Sequence, residues 1–330
     1  METVLITGGT GLIGKALTRA LLEKNYHVII LSRATSNPEL NSEQTQQPAV
    51  IQSEAKDGNL SYAQWNINDQ TIDKEAIAKA DHIIHLAGAG IADKRWTKKR
   101  KQEIVDSRVK SGELLVKALK ENTNRVKTVI SSSAIGWYGP DPVIPNPHPF
   151  TEEVGSSDDF LGTTCRQWEE SIAPLGKTGK RLVNFRIGVV LSREGGALKE
   201  FEKPLRFGAA TILGSGKQII SWIHMDDLVR LYIAAIENEN MNGVYNAVAP
   251  HPVSNRDFML KLATIAKGKF FIPLYVPSFL LKWVFGEISM EVLKSATVSC
   301  AKIQYTGFTF LYSSIDPAVK DLYDQGARYS

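Results

Sequence analysis

The residues best suited to chemistry stand at the very start of the chain, in the run Thr7-Gly8-Gly9-Thr10-Gly11-Leu12-Ile13-Gly14. A short apolar run, Val4-Leu5-Ile6, precedes it and reads as a buried strand. Ala16, Leu17, Ala20, Leu21 and Leu22 follow at helical spacing. The glycines therefore sit where a strand turns into a helix. There the backbone bends tightly and presents free N–H groups and a helix-end dipole to an anion. Both Gly9-x-Gly11-x-x-Gly14 and Gly8-x-x-Gly11-x-x-Gly14 fit dinucleotide-binding patterns. The site expected from Gly8, Thr10, Gly11, Leu12, Ile13 and Gly14 is a pyrophosphate cradle.

A second strand, Val28 to Leu31, ends in Ser32-Arg33. An acidic side chain near that point would hold a ribose 2′-hydroxyl, whereas an arginine suits a 2′-phosphate. No acid stands there, so NADP is expected over NAD. A fourth strand beginning at His82 ends in Leu86-Ala87-Gly88, small residues that let a flat cofactor lie close to the backbone.

Other chemistries find less support. His82 and His85 have no cysteine or histidine cluster around them, so they are expected to be packed and no metal is expected. Six of the eight residues Lys94–Lys101 are cationic. Thr97, however, looks like a helix cap, and most of the lysines then fall on a solvated face, so no nucleic-acid partner is expected. His224 with Asp226 reads as capping and packing, with Asp226 or Asp227 at a helix start. Cys165 and Cys300 imply no disulfide framework and favour a reducing compartment.

Three hundred and thirty residues, 43% hydrophobic and 22% charged with net charge +4, describe an ordinary globular chain of about two domains. Strands and helices alternate to about residue 191, which predicts an α/β fold, a Rossmann-type doubly wound parallel sheet. Further strands are expected at Tyr62–Ile67, Val126–Ile130 and Leu182–Leu191, and a helix at Phe160–Ile172 with Trp168 on its apolar side. Residues 34–59 read as a polar loop. Ala209–Leu213 and Gln218–Trp222 read as a hairpin around Gly214-Ser215-Gly216. The expected division is 1–191 for the dinucleotide domain, 192–248 for substrate-lobe segments and the return to that domain, and 249–330 for a small, mainly helical C-terminal unit. Phe270–Phe285, broken by Pro273, Pro277 and Lys282, is shorter than the roughly 20 residues of a spanning helix. It reads as a loop and a buried or interface helix, without a membrane role. With a strand at the very N-terminus and no room for a signal peptide, the expected address is cytoplasmic.

With these motifs in place, the chain resembles the extended short-chain dehydrogenase/reductases of the NAD-dependent epimerase/dehydratase group. More narrowly, it resembles the "epimerase family protein" subgroup with a C-terminal domain of unknown function. The resemblance spans nearly the whole chain. It rests on the glycine run, Leu86-Ala87-Gly88, Ala92-Asp93-Lys94-Arg95-Trp96, Gln102-Glu103 with Asp106-Ser107-Arg108, Arg186–Leu191, Gly214-Ser215-Gly216 and Ser221-Trp222-Ile223-His224. It implies NADP contacts from Ser32, Arg33, Leu86, Ala87, Glu103, Arg108 and Val190. Arg108 would hold a phosphate or ribose oxygen, and Glu103 would accept from a hydroxyl.

The superfamily's catalytic pattern is a tyrosine with a lysine four residues on, assisted by a serine. Ser133 fits the serine position, and Tyr138 is the nearby phenol, expected to help orient or protonate the reacting oxygen. Gly139-Pro140-Asp141-Pro142 follows it, so that lysine is missing, and without a neighbouring cation Tyr138 is expected to titrate near an ordinary phenol. Aligning the helix at 160–172 through Glu169 puts the tyrosine and lysine positions on Leu161 and Cys165. The resulting expectation is an NADP-dependent oxidoreductase or epimerase acting on a small oxygenated substrate, with an atypical active site; a homodimer is the assembly left open. The alternative is a catalytically weak NADP-binding protein whose occupancy sets the shape shown to a protein partner.

Overall fold

The computed structural model describes residues 1–33 and 58–327. The polar stretch read as a loop falls almost entirely outside them.

The first half of the chain alternates as its apolar periodicity requires. β1 (Thr3–Thr7), α1 (Leu12–Glu23), β2 (His27–Ser32), β3 (Leu60–Asn66), β4 (Thr71–Ile72), α2 (Lys74–Lys79), β5 (His82–His85), α3 (Lys98–Glu121), β6 (Thr128–Ala134), α4 (Phe160–Ile172) and β7 (Arg181–Ile187) follow one another. A later strand, β12 (Gly243–Ala247), completes an eight-stranded sheet of order β12-β7-β6-β5-β1-β2-β3-β4. Every pairing in it is parallel except β3 with β4. Strands in such a sheet bury both faces, which is why β1 is apolar in the middle and buried throughout. Val4 and Ile6 pack on one side with Leu17 and Leu21 of α1. Leu5 packs on the other with Leu114 and Leu115 of α3.

Beyond β7 come β8 (Val189–Leu191), α5 (Ala197–Leu205), β9 (Ala209–Leu213), β10 (Ile219–Ile220), β11 (Trp222–His224) and α6 (Met225–Glu237). After β12 follow β13 (Val253–Ser254), α7 (Asn255–Lys267), β14 (Ile272–Val276), α8 (Ser278–Phe285), α9 (Ile288–Leu293), α10 (Ala301–Tyr305) and α11 (Ile315–Ala327).

Three expectations change here. The strand read as Leu182–Leu191 is two strands, because the chain breaks at Gly188. A Cβ there would lie 2.6 Å from the Ser221 carbonyl oxygen and 2.8 Å from Val248. Beyond the break, β8 leaves the main sheet and pairs with β11. The hairpin does not form either. Gly214 and Gly216 turn the chain at positive φ, but β9 pairs in parallel with β14 and β10 pairs with β13. Finally, the boundary at 249 runs through one core. Leu198, Leu205, Ala210, Ile212 and Trp222 pack with Phe258, Met259, Leu262, Ala318 and Val319. The lobe is thus built from two chain segments, with α6 and β12 between them serving the sheet.

Two buried carboxylates tie this second half down. Asp141 accepts from the Ser295 and Thr297 hydroxyls, the Thr297 amide and the Asn146 side chain, at 2.7–3.0 Å. Asp227, in the first turn of α6, accepts from the Leu311 and Tyr312 amides at 2.7 and 2.9 Å and from Arg230 at 3.0 Å. Removing an acceptor strands buried donors, each costing about 1–3 kcal/mol. Asp141→Ala should therefore lower unfolding free energy by about 3 kcal/mol in urea titration. A loss typical of an exposed aspartate, below about 0.5 kcal/mol, would show that Asp141 is no clamp.

Candidate functional site

The carboxyl ends of β1, β5, β6 and β7 lie side by side, and the glycine run, the Leu86-Ala87-Gly88 ridge and Ser133 stand along that edge. The glycine run follows β1 and opens α1. Gly8 has φ +70°, and a Cβ on it would sit 3.0 Å from the Leu86 backbone. A Cβ on Gly14 would stand only 2.4 Å from the Gly8 carbonyl oxygen, so the helix start can nest against the turn only if that residue is glycine. Gly11 is the cap residue of α1 and gives it no side-chain hydrogen bond, while the Gly11 amide is bonded to Gly8. The first helical amides are thus left for a ligand. This uncapped cradle fits the pyrophosphate of an NAD(P) dinucleotide.

Leu12 also touches a later segment: a Cβ on Gly196 would lie 3.2 Å from its Cδ2 and 3.9 Å from the Val190 carbonyl oxygen. The structure thus brings the expected residues Leu12 and Val190 to one place. Ser32 ends β2 half-buried, and Arg33 follows it exposed.

The Leu86-Ala87-Gly88 ridge is held by a buried relay that the sequence did not announce. Thr7 Oγ1 accepts the Leu86 and Ala87 amides at 3.1 and 3.2 Å, so its own hydrogen goes to His85 Nδ1 at 2.8 Å. Nε2 of His85 then bears the imidazole hydrogen and faces Ser111 Oγ at 3.3 Å. Burial, and secondarily the charge of Arg108, pushes the His85 pKa down to about 4. The expectation of a packed histidine holds, and its bonds register β5 against α3.

Arg108, expected to hold a phosphate or ribose oxygen, also braces the backbone. Its Nη1 donates to the carbonyls of Ala89 and Ile104, both at 3.0 Å. The guanidinium lies over Trp168 at 4.9 Å and beneath Gly88, where a Cβ would be 3.1 Å from Cζ. One nitrogen of the anticipated phosphate clamp is thus committed to bracing the Gly88–Ala89 backbone, and burial pushes the group's pKa down to about 10. Glu103 is exposed and pairs with Arg100 at 2.8 Å. Arg100 is itself buried and donates to the Gly90 carbonyl, so the basic run is not uniformly solvated: Lys94, Lys98 and Lys99 are exposed, while Arg100 supports the site loop.

Ser133 stands near the end of β6. Its Oγ is buried and makes no full hydrogen bond among the described residues. The Cys165 thiol beside it offers only a weak interaction. Facing Ser133 is α4, which presents Leu161 and Cys165, both buried, one turn apart; a Cβ on Gly136 would lie 3.2 Å from Leu161 Cβ and 3.7 Å from Cys165 Sγ. Burial pushes the Cys165 thiol up to about 11, so it is protonated at neutral pH and cannot act as a base.

Tyr138 is corrected. It is wholly buried and stacked on Phe150 with ring centroids 5.2 Å apart. Its hydroxyl faces Asn246 Oδ1 at 2.7 Å and the Thr151 carbonyl at 3.0 Å, and it accepts from Arg186 at 3.1 Å. A cation does lie beside it, supplied by Arg186 of β7 instead of a lysine four residues along the chain. Burial nevertheless outweighs that charge and raises the phenol pKa. A saturated hydroxyl in a closed core does not reach a substrate.

Arg186 entered the sequence reading only as part of a matching motif, without a role of its own. It forms a two-pronged pair with Glu169 at 2.8 and 3.0 Å, with little exposed surface on either side chain. The available signal was a lone charge inside the apolar run Leu182–Val190. His224 behaves as expected of a capping residue. Its Nδ1 accepts the Asp226 amide at 3.2 Å, which leaves the hydrogen on Nε2, toward Asp321 at 3.6 Å. An imidazole so committed turns a donor, not a lone pair, to that carboxylate.

Residues 4–162 match the NAD dependent epimerase/dehydratase family, and residues 276–322 match a domain of unknown function, DUF1731. The epimerase family protein SH2119 of Staphylococcus haemolyticus is 33% identical over 325 residues, covering 98% of this chain and 100% of that protein. The epimerase family protein YfhF of Bacillus subtilis is 33% identical over 320 residues, covering 97% of each. Among solved structures, the human epimerase family protein SDR39U1 (isoform 2) with NADPH superposes with a TM-score of 0.81 at 27% identity, covering 98% of this chain and 99% of that one.

The His85 relay carries a pH dependence. The unfolded chain takes up a proton near the usual pKa of 6.5, while the folded chain holds His85 neutral down to about 4. Stability from this residue is complete above pH 6.5 and declines as pH falls through that window. Ring-carbon NMR shifts of His85 should stay those of a neutral imidazole at about pH 5. Protonation near the ordinary histidine value would contradict the relay.

Proposed function

Since the chain belongs to the NAD dependent epimerase/dehydratase family and carries that family's NAD(P)-binding Rossmann fold, we propose that it is an NADP-dependent oxidoreductase or epimerase acting on a small oxygenated substrate. When bound, the nicotinamide supplies or takes the hydride. The chain's own residues supply the rest. The amides at the start of α1 receive the pyrophosphate, and Arg33 with Ser32 favours the 2′-phosphate of NADP. The NADPH held by the human relative agrees with that preference.

The observation that carries the catalytic reading is Ser133: a buried hydroxyl without a full hydrogen bond, on the strand end where the family places its serine. Buried polar groups ordinarily find full partners, so a hydroxyl left with only a weak thiol contact at a cofactor edge is suited to hold a substrate oxygen. Leu161 and Cys165 give that oxygen no base and no ammonium group. Tyr138 acts as a positioning residue, one member of the core that fixes the turn after β6. The chemistry supported is therefore slow, with orientation by Ser133 in place of a low-pKa phenol. The same apolar slot favours a second reading, a protein whose NADP occupancy, more than its turnover, is what a partner protein senses.

Cofactor choice tests the first step. A charge-assisted hydrogen bond contributes roughly 1.5–3 kcal/mol, or about ten- to a hundredfold in affinity. NADPH should bind more tightly than NADH by that margin in calorimetry, and Arg33→Asp should reverse the order; equal affinities would refute the preference.

Ser133→Ala should leave NADPH affinity nearly unchanged and lower any turnover by roughly 10²–10⁴-fold. Tyr138→Phe should instead lower stability, by about 1 kcal/mol for the lost buried hydrogen bonds. Turnover insensitive to Ser133→Ala would remove that residue from the reaction.

A further inference from the structure

The lobe carries an apolar surface that nothing among the described residues covers. Phe270, Ile272, Phe279 and Trp283 are 87%, 74%, 67% and 78% exposed, and Phe207 is 91% exposed. They belong to one continuous segment and the turn beside it: Ile272 of β14 donates to the carbonyl of Gly208, and only Pro277 separates β14 from α8. Of the eight residues of α8, Ser278-Phe279-Leu280-Leu281-Lys282-Trp283-Val284-Phe285, only Leu281 is buried. A helix apolar at six of its eight positions is normally a buried one. The sequence reading expected a buried or interface helix here, without a membrane role, and the buried alternative fails.

Charge says what the cover is. Between Asp257 and Glu287 the chain has no acidic residue and four lysines. Lys261 is engaged by Asp316, whereas Lys267, Lys269 and Lys282 are exposed around the apolar segment. A second copy meeting this face by a twofold axis would bring the same lysines together, and the segment between Asp257 and Glu287 carries no acid of its own to balance them. Strand addition is blunted as well. Ile272 and Val276 use their backbone bonds on β9, so Pro273 and Tyr275 face the open edge, and Pro273 has no N–H to give. Protruding aromatic side chains among unopposed lysines suit a soft, flat, negatively charged surface.

Departing from the expectation of no membrane role, we propose that the Phe270–Phe285 segment docks this protein on an anionic lipid bilayer. The aromatic side chains enter the headgroup boundary and Lys267, Lys269 and Lys282 meet lipid phosphates. Eight residues of helix span only about 12 Å, so α8 lies on the surface and does not cross it. The dinucleotide domain is linked to this face directly. Arg95 donates to the Trp283 carbonyl at 3.1 Å, and Lys101 pairs with Glu287. Docking would therefore hold the site loop around Gly90–Arg95 close to the membrane.

The test is co-sedimentation of the full chain with phosphatidylcholine vesicles, with and without phosphatidylglycerol, at low and high salt. Retention should require phosphatidylglycerol and weaken with salt. Lys282→Glu should reduce partitioning by about tenfold or more, and Phe279→Ser combined with Trp283→Ser should abolish it. All these positions are exposed, so NADPH-induced thermal stabilisation should be unchanged and reports that the variants are folded. Absence of retention on anionic vesicles, or retention indifferent to the aromatic substitutions, would overturn the proposal. So would a dimer, seen by analytical ultracentrifugation, that those substitutions dissolve while vesicles leave it intact.

Discussion

The buried pair between Arg186 and Glu169 is the interaction on which the rest of the site region depends. Taking two charges out of water costs several kcal/mol each, and only close geometry with further hydrogen bonds offsets it. Here burial works against the guanidinium, yet its bonds to Glu169 win and its pKa is raised. The remaining donor on Arg186 reaches the Tyr138 hydroxyl and the Glu152 carbonyl, and its plane covers Trp137 with 3.6 Å to the ring centre. One side chain thereby joins β7 to α4, to the turn after β6 and to the loop near residue 150. Asn246 carries the connection into β12, through Tyr138 on its side chain and Glu152 on its amide at 2.7 Å. The location of Leu161 and Cys165 opposite Ser133 follows from where Glu169 holds α4.

With the family's tyrosine and lysine positions expected on Leu161 and Cys165, this arrangement also keeps the Tyr138 hydroxyl from standing in for them. Tyr138 belongs to the network that keeps Arg186 satisfied. Freeing its hydroxyl for a substrate would leave a buried guanidinium short of an acceptor, at a cost comparable to breaking a buried charged bond. The slot on α4 is apolar and well packed, so it shapes the site without titrating in it. On the proposed reading, the polar atoms that this edge offers a ligand include the amides at the start of α1 and the Ser133 hydroxyl.

Local signals in the sequence were legible wherever the partner was a few residues away. Thr97 accepts from the Arg100 amide and starts α3, as expected of a helix cap. Strand periodicity located the parallel sheet, and the alignment through Glu169 put Leu161 and Cys165 one turn apart on α4, where the structure has them. What escaped were relations fixed at long range. β9 and β14 pair although residues 214–271 lie between them, and no local rule announces that Ala209 will meet Ile272. Gly188 reads as one more strand residue until the Ser221 carbonyl is seen beside it. Tyr138 looks available for chemistry until Asn246 and Arg186 arrive from distant parts of the chain.

The lobe core assembled from residues on both sides of β12 also constrains synthesis. A chain emerging from the ribosome can pair β1, β2, β5, β6 and β7 early, but Leu198, Ala210, Ile212 and Trp222 then have no partners. They wait, apolar and uncovered, until Phe258, Met259 and Leu262 appear, and the packing closes only with Ala318 and Val319. Exposed apolar surface of this kind is what chaperones recognise and what aggregation exploits. A ribosome stalled before α11 would release a fragment whose cofactor cradle is complete and whose second half cannot shut.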